Sequence, residues 1–409
     1  MMIYDSKSGT FTLHTRRTTY QMQADGHGVL LHLYYGPRVG DGDLSYLLQY
    51  TDRGFSPNPS GSGADRIYSL DTLPQEYSTC GVGDYRLASA EVEQPDGSLL
   101  LDLRYASHEI RPGKYAQEGL PAFFGREGWE TLSILLRDPC SGIEAELLYG
   151  VCEEDDLITR AVRLTNRGDR PAALCRAMSL CLDFNRADLD LVTFDGGHVK
   201  ERNLNRAALR PGVQSVGSLR GTSSHQHNPF VILCEQDAGE DHGLCYGAAL
   251  LYSGNFLAAA ERSQFDDTRL VMGIHPHHFR WTLAPGECFT APEAALVCSP
   301  DGLTPMTHRF HRAIRQRLIR DPYQGKRRPV LINNWEATEF RFDADKLVSI
   351  AREGAELGME LFVMDDGWFG TRDDDCGGLG DWDVNEKKLP GGLEALVPRI
   401  QALGMGFGL

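Results

Sequence analysis

Two places in the chain combine residue types that could do chemistry, and both lie where an apolar run ends. Leu361-Phe362-Val363-Met364 opens into Asp365-Asp366-Gly367-Trp368, and Pro329-Val330-Leu331-Ile332 opens into Asn333-Asn334-Trp335-Glu336. Carboxylates accept hydrogen bonds from hydroxyl groups, and indole rings cover the apolar face of a pyranose. The mixture suits a neutral, hydroxyl-rich ligand, with Asp365, Asp366, Trp335 and Trp368 as candidate contacts. Adjacent residues of a strand point to opposite faces. Asp365 and Asp366 can share one ligand only if the strand is already turning, which Gly367 makes feasible. Otherwise one points inward and the other caps the next loop.

Other clusters read as structure. His275-Pro276-His277-His278 has the ligand type of a metal site, but it lies in a strand-like stretch. Asp373-Asp374-Asp375 lacks the alternate spacing of a calcium loop and reads as a solvated loop or one near the ligand pocket. Ser223, Ser224 and His225 come without a Gly-x-Ser-x-Gly elbow, so a polar turn is expected there. No phosphate-binding loop of the Gly-x-x-x-x-Gly-Lys type is present. Neither a cofactor nor a metal is expected.

The elements that must position these residues fall into two styles. Up to about residue 300 the chain is written in short strands. Examples are Val29–Tyr35, Ser98–Tyr105 and Ile143–Tyr149, the last alternating so as to bury one face. Turns such as Asp41-Gly42-Asp43 and Pro95-Asp96-Gly97 separate them, which predicts a large β-sandwich. The stretch 51–63 is too polar and too rich in Gly and Pro for a strand, and loops of that length tend to be functional or disordered.

After a basic, helix-compatible stretch from Thr304 to Arg320, the style changes. Asp343 can cap a helix running to about Leu357, with Leu347, Ile350, Ala351 and Ala355 on one face and Gly358 at its end. A second helix carries Leu393, Leu396, Val397, Ile400 and Leu403, with Pro398 expected to kink it. A third strand begins at Gly406. Strand, helix, strand, helix, strand predicts a parallel sheet with right-handed crossovers. A closed eight-stranded barrel needs about 250 residues, so either the sheet is small and open or a barrel is interrupted here.

Bulk properties narrow the partners. At 409 residues the chain exceeds what one core usually serves, so two or more units are expected. Apolar residues at 41% and charged residues at 24% are those of a globular protein. A formal charge of −16 disfavours nucleic acid and anionic membranes. No basic-then-apolar leader or bilayer-length apolar run is found. The ten cysteines include no Cys-x-x-Cys pair, which predicts reduced thiols and a cytoplasmic location.

Asn333-Asn334-Trp335-Glu336-Ala337, Leu361 through Gly370 and Leu379-Gly380-Asp381-Trp382 resemble the opening barrel motifs of glycoside hydrolase family 36 alpha-galactosidases. Phe55-Ser56-Pro57-Asn58-Pro59, Ser69 through Tyr77 and Arg220 through Phe230 follow the same family in order. The likeness covers essentially the whole chain. It implies an α+β multidomain fold, with an N-terminal β-supersandwich over 1–300 and a helical connector over 301–326. The beginning of a (β/α)8 TIM barrel, incomplete, would occupy 327–409.

The likeness also implies retaining hydrolysis of terminal α-galactosides such as melibiose and raffinose. By motif, Asp365 and Asp366 would bind galactose hydroxyls and Trp335 would wall the pocket. Asp52 would reach a sugar site, in tetrameric relatives that of a neighbouring subunit, so a homo-oligomer is expected. His198 stands in Gly196-Gly197-His198-Val199-Lys200-Glu201-Arg202, where relatives often carry an aromatic residue; it is a further candidate contact. The nucleophile and acid/base aspartates of the family lie on later strands, roughly 5–5.5 Å apart in a retaining enzyme. Neither position falls within these residues, so no catalytic residue is assigned and the isolated chain is expected to be inactive. A galactosyltransferase of raffinose-type sugars and a carbohydrate-binding or assembly module are the alternatives.

Overall fold

The computed structural model describes residues 1–52, 58–125 and 127–409. Of the motif Phe55-Ser56-Pro57-Asn58-Pro59, the first three residues lie outside the described ones. Two compact units divide the chain, Met1–Gln324 and Gly325–Leu409.

The first unit is mostly β-structure, as the density of β-branched and aromatic residues between turns predicts. Among the described residues it contains a four-stranded, a six-stranded and a ten-stranded sheet. Every paired strand in them is antiparallel. Phe11 and Tyr20 of the first, Leu180 and Met272 of the second, and Leu147 and Leu296 of the third are buried in one cluster. The helix Leu303–Arg317 buries Met306, Phe310 and Ala313 against Ile232 and Val297 of the large sheet. No described helix is long and apolar enough to cross a membrane.

Two strand expectations are corrected. Ser98–Leu103 does not join a ladder; the strand begins only at Arg104 and runs to Pro112. The Leu101 amide donates instead to the Cys80 carbonyl at 3.1 Å, and the Asp102 amide donates to the Asp138 carboxylate at 3.2 Å. The run therefore buries Leu101 and Leu103 but leaves Leu99 and Leu100 exposed. The strand Ile143–Cys152 is buried on both faces rather than one. Tyr115 packs on Leu148 across the second face, and Glu144 is neutralised by Arg137 and Arg167.

In the second unit, strands Leu331–Asn333, Leu361–Val363 and Gly406–Gly408 pair parallel in sequence order. Helix Ala344–Glu356 follows the first strand, capped by the Asp343 carboxylate, which accepts the Lys346 amide. Gly358, at φ +86°, ends that segment in a conformation glycine adopts freely. Helix Gly392–Gln401 returns to the third strand and contains Pro398 without a break. Proline there forfeits only the one amide that would have reached Glu394. Leu347, Ala351, Phe362, Met364, Leu396 and Ile400 form the core between helices and sheet. This packing fixes the strand ends and hence everything attached to them.

Candidate carbohydrate-binding site

The middle strand keeps its ladder one residue past its end, with the Met364 amide donating to the Gly408 carbonyl at 3.0 Å. The ladder then stops. The Asp365 amide donates to Asn334 Oδ1 at 2.8 Å, a side chain replacing a strand partner. Gly367 follows at φ +93°, and a Cβ there would come within 2.9 Å of the Phe340 ring. The backbone can make this turn only with glycine.

At the turn each aspartate has its own partner. Asp365 Oδ2 accepts from Asn333 Nδ2 at 2.5 Å and its Oδ1 accepts the Asp366 amide at 2.7 Å. Asp366 faces the following loop, where Arg372 donates from Nε to Oδ1 at 2.9 Å and from Nη2 to Oδ2 at 2.8 Å. Both aspartates remain half-buried, reachable by a ligand. The hydrogen bonds from Arg372 hold the Asp366 carboxyl below the usual carboxylate range, and Arg372 is raised in turn. Asp366 thereby anchors the following loop as well.

Asn334 is fully buried, and its Nδ2 donates to Thr338 Oγ1 at 2.9 Å. Asn333 Oδ1 accepts the Trp335 amide at 2.7 Å, so one side chain links Asp365 to the start of the Trp335–Thr338 helix. The half-buried Trp335 ring meets Phe340 edge to face at 4.9 Å. Trp368 stacks on Trp382 at 6.5 Å, and Trp382 is 63% exposed. Lys388 ties the loop, donating to the carbonyls of Phe340, Gly367 and Arg372 and pairing with Asp373 at 2.8 Å. These groups can bind hydroxyls and an apolar ring face; nothing among them suggests a nucleophile.

The second unit thus holds Asp365, Asp366, Trp335 and Trp368. Asp52 and His198 belong to the first. Asp52 pairs with Arg66 at 3.1 Å. His198 is exposed, between strands Leu189–Gly197 and Lys200–Ala208. None of these six residues lines the cavity of about 1200 Å³ in the first unit, whose walls include Glu91, Gln94 and Arg176.

Among the described residues no three His, Cys, Asp or Glu side chains are grouped to hold a metal ion. The His277 and His278 rings meet tilted by 57°, with centroids 3.9 Å apart. Asp373 and Asp375 face Lys388 and Arg372. Residues missed in the sequence are Arg372, Lys388 and Phe340. The nearest signal was Arg372, the one cation of Arg372-Asp373-Asp374-Asp375, but nothing in the sequence ties it to Asp366 rather than to solvent.

Residues 28–284 match the family model described as the glycosyl hydrolase family 36 N-terminal domain, and residues 288–409 match the one described as Melibiase. A bifunctional alpha-galactosidase/sucrose kinase of Mediterraneibacter gnavus is 48% identical over 409 residues, all of this chain and 44% of that relative. The solved galactosidase domain of an alpha-galactosidase-sucrose kinase superposes with a TM-score of 0.97 at 48% identity, over 100% of this chain and 57% of that one. A family 36 alpha-galactosidase of Geobacillus stearothermophilus, solved in complex with raffinose, gives 0.94 at 46% identity over 98% of this chain and 56% of its own.

These matches are to carbohydrate-cleaving enzymes, and they extend through both units above. The chain belongs to glycosyl hydrolase family 36. It spans about half the length of the relatives it matches.

Proposed function

We propose that this chain supplies the sugar-binding part of a retaining alpha-galactosidase acting on terminal, non-reducing α-D-galactosides of the melibiose and raffinose type. One observation carries the reading: two ionisable side chains, Asp365 and Asp366, stand together where the middle parallel strand ends, each held by its own partner, with Trp335 beside them in the chain fold through Asn333. In such sheets ligands sit outside the carboxyl ends of the strands.

In this reading Asp365 and Asp366 accept hydrogen bonds from galactosyl hydroxyls, and Trp335 and Trp368 cover its apolar face. Asp52 and His198 are further sugar contacts. Residues 1–300 form a β-supersandwich, 301–326 a helical connector and 327–409 the first strands of a (β/α)8 barrel. Bond cleavage belongs to carboxylates outside these residues, and no cofactor takes part. The protein is a cytoplasmic homo-oligomer; its ten unpaired cysteines suit a reducing compartment.

The test is made on the full-length protein with an aryl α-galactoside. Asp365→Asn and Asp366→Asn should each lower kcat/KM by more than about tenfold, since buried recognition of a hydroxyl is worth several kcal/mol. Unchanged kinetics in both variants would remove the assignment.

A further inference from the structure

The loop after the Asp365-Asp366 pair is organised around one arginine. Arg372 lies six residues beyond Asp366, and its guanidinium returns to that carboxylate with Nε at 2.9 and 3.0 Å from the two oxygens and Nη2 at 2.8 Å from Oδ2. Nη1 donates to the Gly377 carbonyl at 2.8 Å. The guanidinium carbon lies 5.5 Å from the Phe340 ring centroid, and the side chain is 6% exposed. The backbone of the same residue is tied as well, because the Arg372 carbonyl accepts from Lys388 Nζ at 3.1 Å. Arg372 is therefore held at both ends.

These bonds fill most of the acceptor positions of Asp366. A carboxylate offers about four. Oδ1 takes the Gly367 amide at 2.7 Å and Oδ2 takes Arg372 Nη2 at 2.8 Å, while the single Nε hydrogen is shared between the two oxygens at 2.9 and 3.0 Å. Three donor hydrogens thus occupy the carboxylate, which leaves room for about one more. A planar guanidinium fork fixes the plane of a carboxylate, which a lysine ammonium cannot do.

We propose that Arg372 is a positioning residue that locks the Asp366 carboxylate, ionised and in one plane, so that its single open acceptor position meets one sugar hydroxyl. This rests on the reading of Asp366 as a galactosyl contact. The hydrogen bonds from Arg372 are also the main cause of the lowered Asp366 carboxyl, so the group stays charged in mildly acidic solution.

The test uses the full-length protein, galactose as a competitive inhibitor of aryl α-galactoside hydrolysis, and three variants. Arg372→Met should raise the galactose inhibition constant and KM by tenfold or more, and move the acid limb of galactose binding to higher pH. Arg372→Lys should restore the acid limb, because the charge remains, but not the affinity, because the fork is lost. Asp366→Asn should weaken binding and abolish the Arg372-dependent pH shift.

If Arg372→Met lowers Tm but leaves galactose affinity and its pH dependence unchanged while Asp366→Asn weakens binding, the positioning role falls and the site reading stands. If Asp366→Asn also leaves affinity unchanged, the site reading itself falls. Should Arg372→Met fail to fold, Arg372→Lys decides alone: wild-type galactose affinity in that variant overturns the proposal.

Discussion

The amide of Asp365 is received by the side-chain carbonyl of Asn334 at 2.8 Å, so an asparagine side chain takes over where the parallel ladder ends. Asn334 is fully buried and its amide nitrogen is committed to Thr338. Asn334→Ala would strip the Asp365 amide of its acceptor, while the Thr338 hydroxyl would lose one donor and keep the Asn334 carbonyl. A buried donor left unpaired costs about 1–3 kcal/mol. The expected outcome is a urea midpoint lowered by that amount together with at least tenfold weaker galactose inhibition. A stability loss with unaltered galactose affinity would detach Asn334 from the site.

Asn333 gives the complementary case. Its side chain is half-buried and donates to the Asp365 carboxylate while accepting the Trp335 amide at 2.7 Å. A hydrogen bond to a charged group contributes about 1.5–3 kcal/mol. Because water can replace part of it here, Asn333→Ala should cost less than about 1 kcal/mol of stability and yet weaken galactose binding about tenfold. Equal losses of stability and affinity would contradict the separate roles assigned to the two asparagines.

A buried ion cluster in the first unit sets its acid tolerance. Arg269 donates to both oxygens of Asp183 at 2.8 Å and reaches Asp84 at 2.7 Å, with neither Arg269 nor Asp183 accessible. Burial alone would raise the Asp183 carboxyl, but the Arg269 charge and hydrogen bonds outweigh it and hold the group below its ordinary value. A carboxyl depressed on folding stabilises the protein above its unfolded value, near 3.9, and that contribution is lost as pH falls through the folded value. Asp183→Asn should therefore cost about 3–5 kcal/mol at pH 7, as for a buried pair missing one partner. Urea midpoints should converge with those of the parent below about pH 4; a gap that stays constant down to pH 3 would refute the linkage.

The second unit was legible where chemistry and periodicity coincide. Asp343 before an amphipathic stretch, Gly358 after it, and apolar runs ending in Asp-Asp-Gly-Trp and Asn-Asn-Trp-Glu were enough to place the helix and the strand mouths. Which partner each aspartate chose was not legible, because Asn333 and Arg372 are polar residues that would look the same if solvated. The run Ser98–Leu103 looked like a strand by composition, but its amides are taken by Cys80 and Asp138, residues remote in sequence. The outer face of Ile143–Cys152 looked solvated because its cover, Tyr115, comes from a distant segment. Propensity reports a surface that fits a sheet, not the neighbour that will occupy it.

The helix Leu303–Arg317 covers one face of the large sheet. Arg312 and Arg315 lie on its exposed face, while Met306, Arg309, Phe310, Ala313 and Arg317 are buried. Phe310 meets Phe230 edge to face at 5.3 Å and packs with Met306 against the large sheet. Gly247 lies beneath them, where a Cβ would approach the Met306 sulfur and the Phe310 ring at 2.7 Å each. Truncating a buried phenylalanine costs about 3–5 kcal/mol when the site cannot collapse. Phe310→Ala should lower the first unit's urea midpoint accordingly, and Gly247→Ala in the same chain should recover part of the loss by filling the vacated space. Alone, Gly247→Ala should destabilise, because Met306 and Phe310 must move. Additive losses in the double variant would show that the two positions do not share one packing contact.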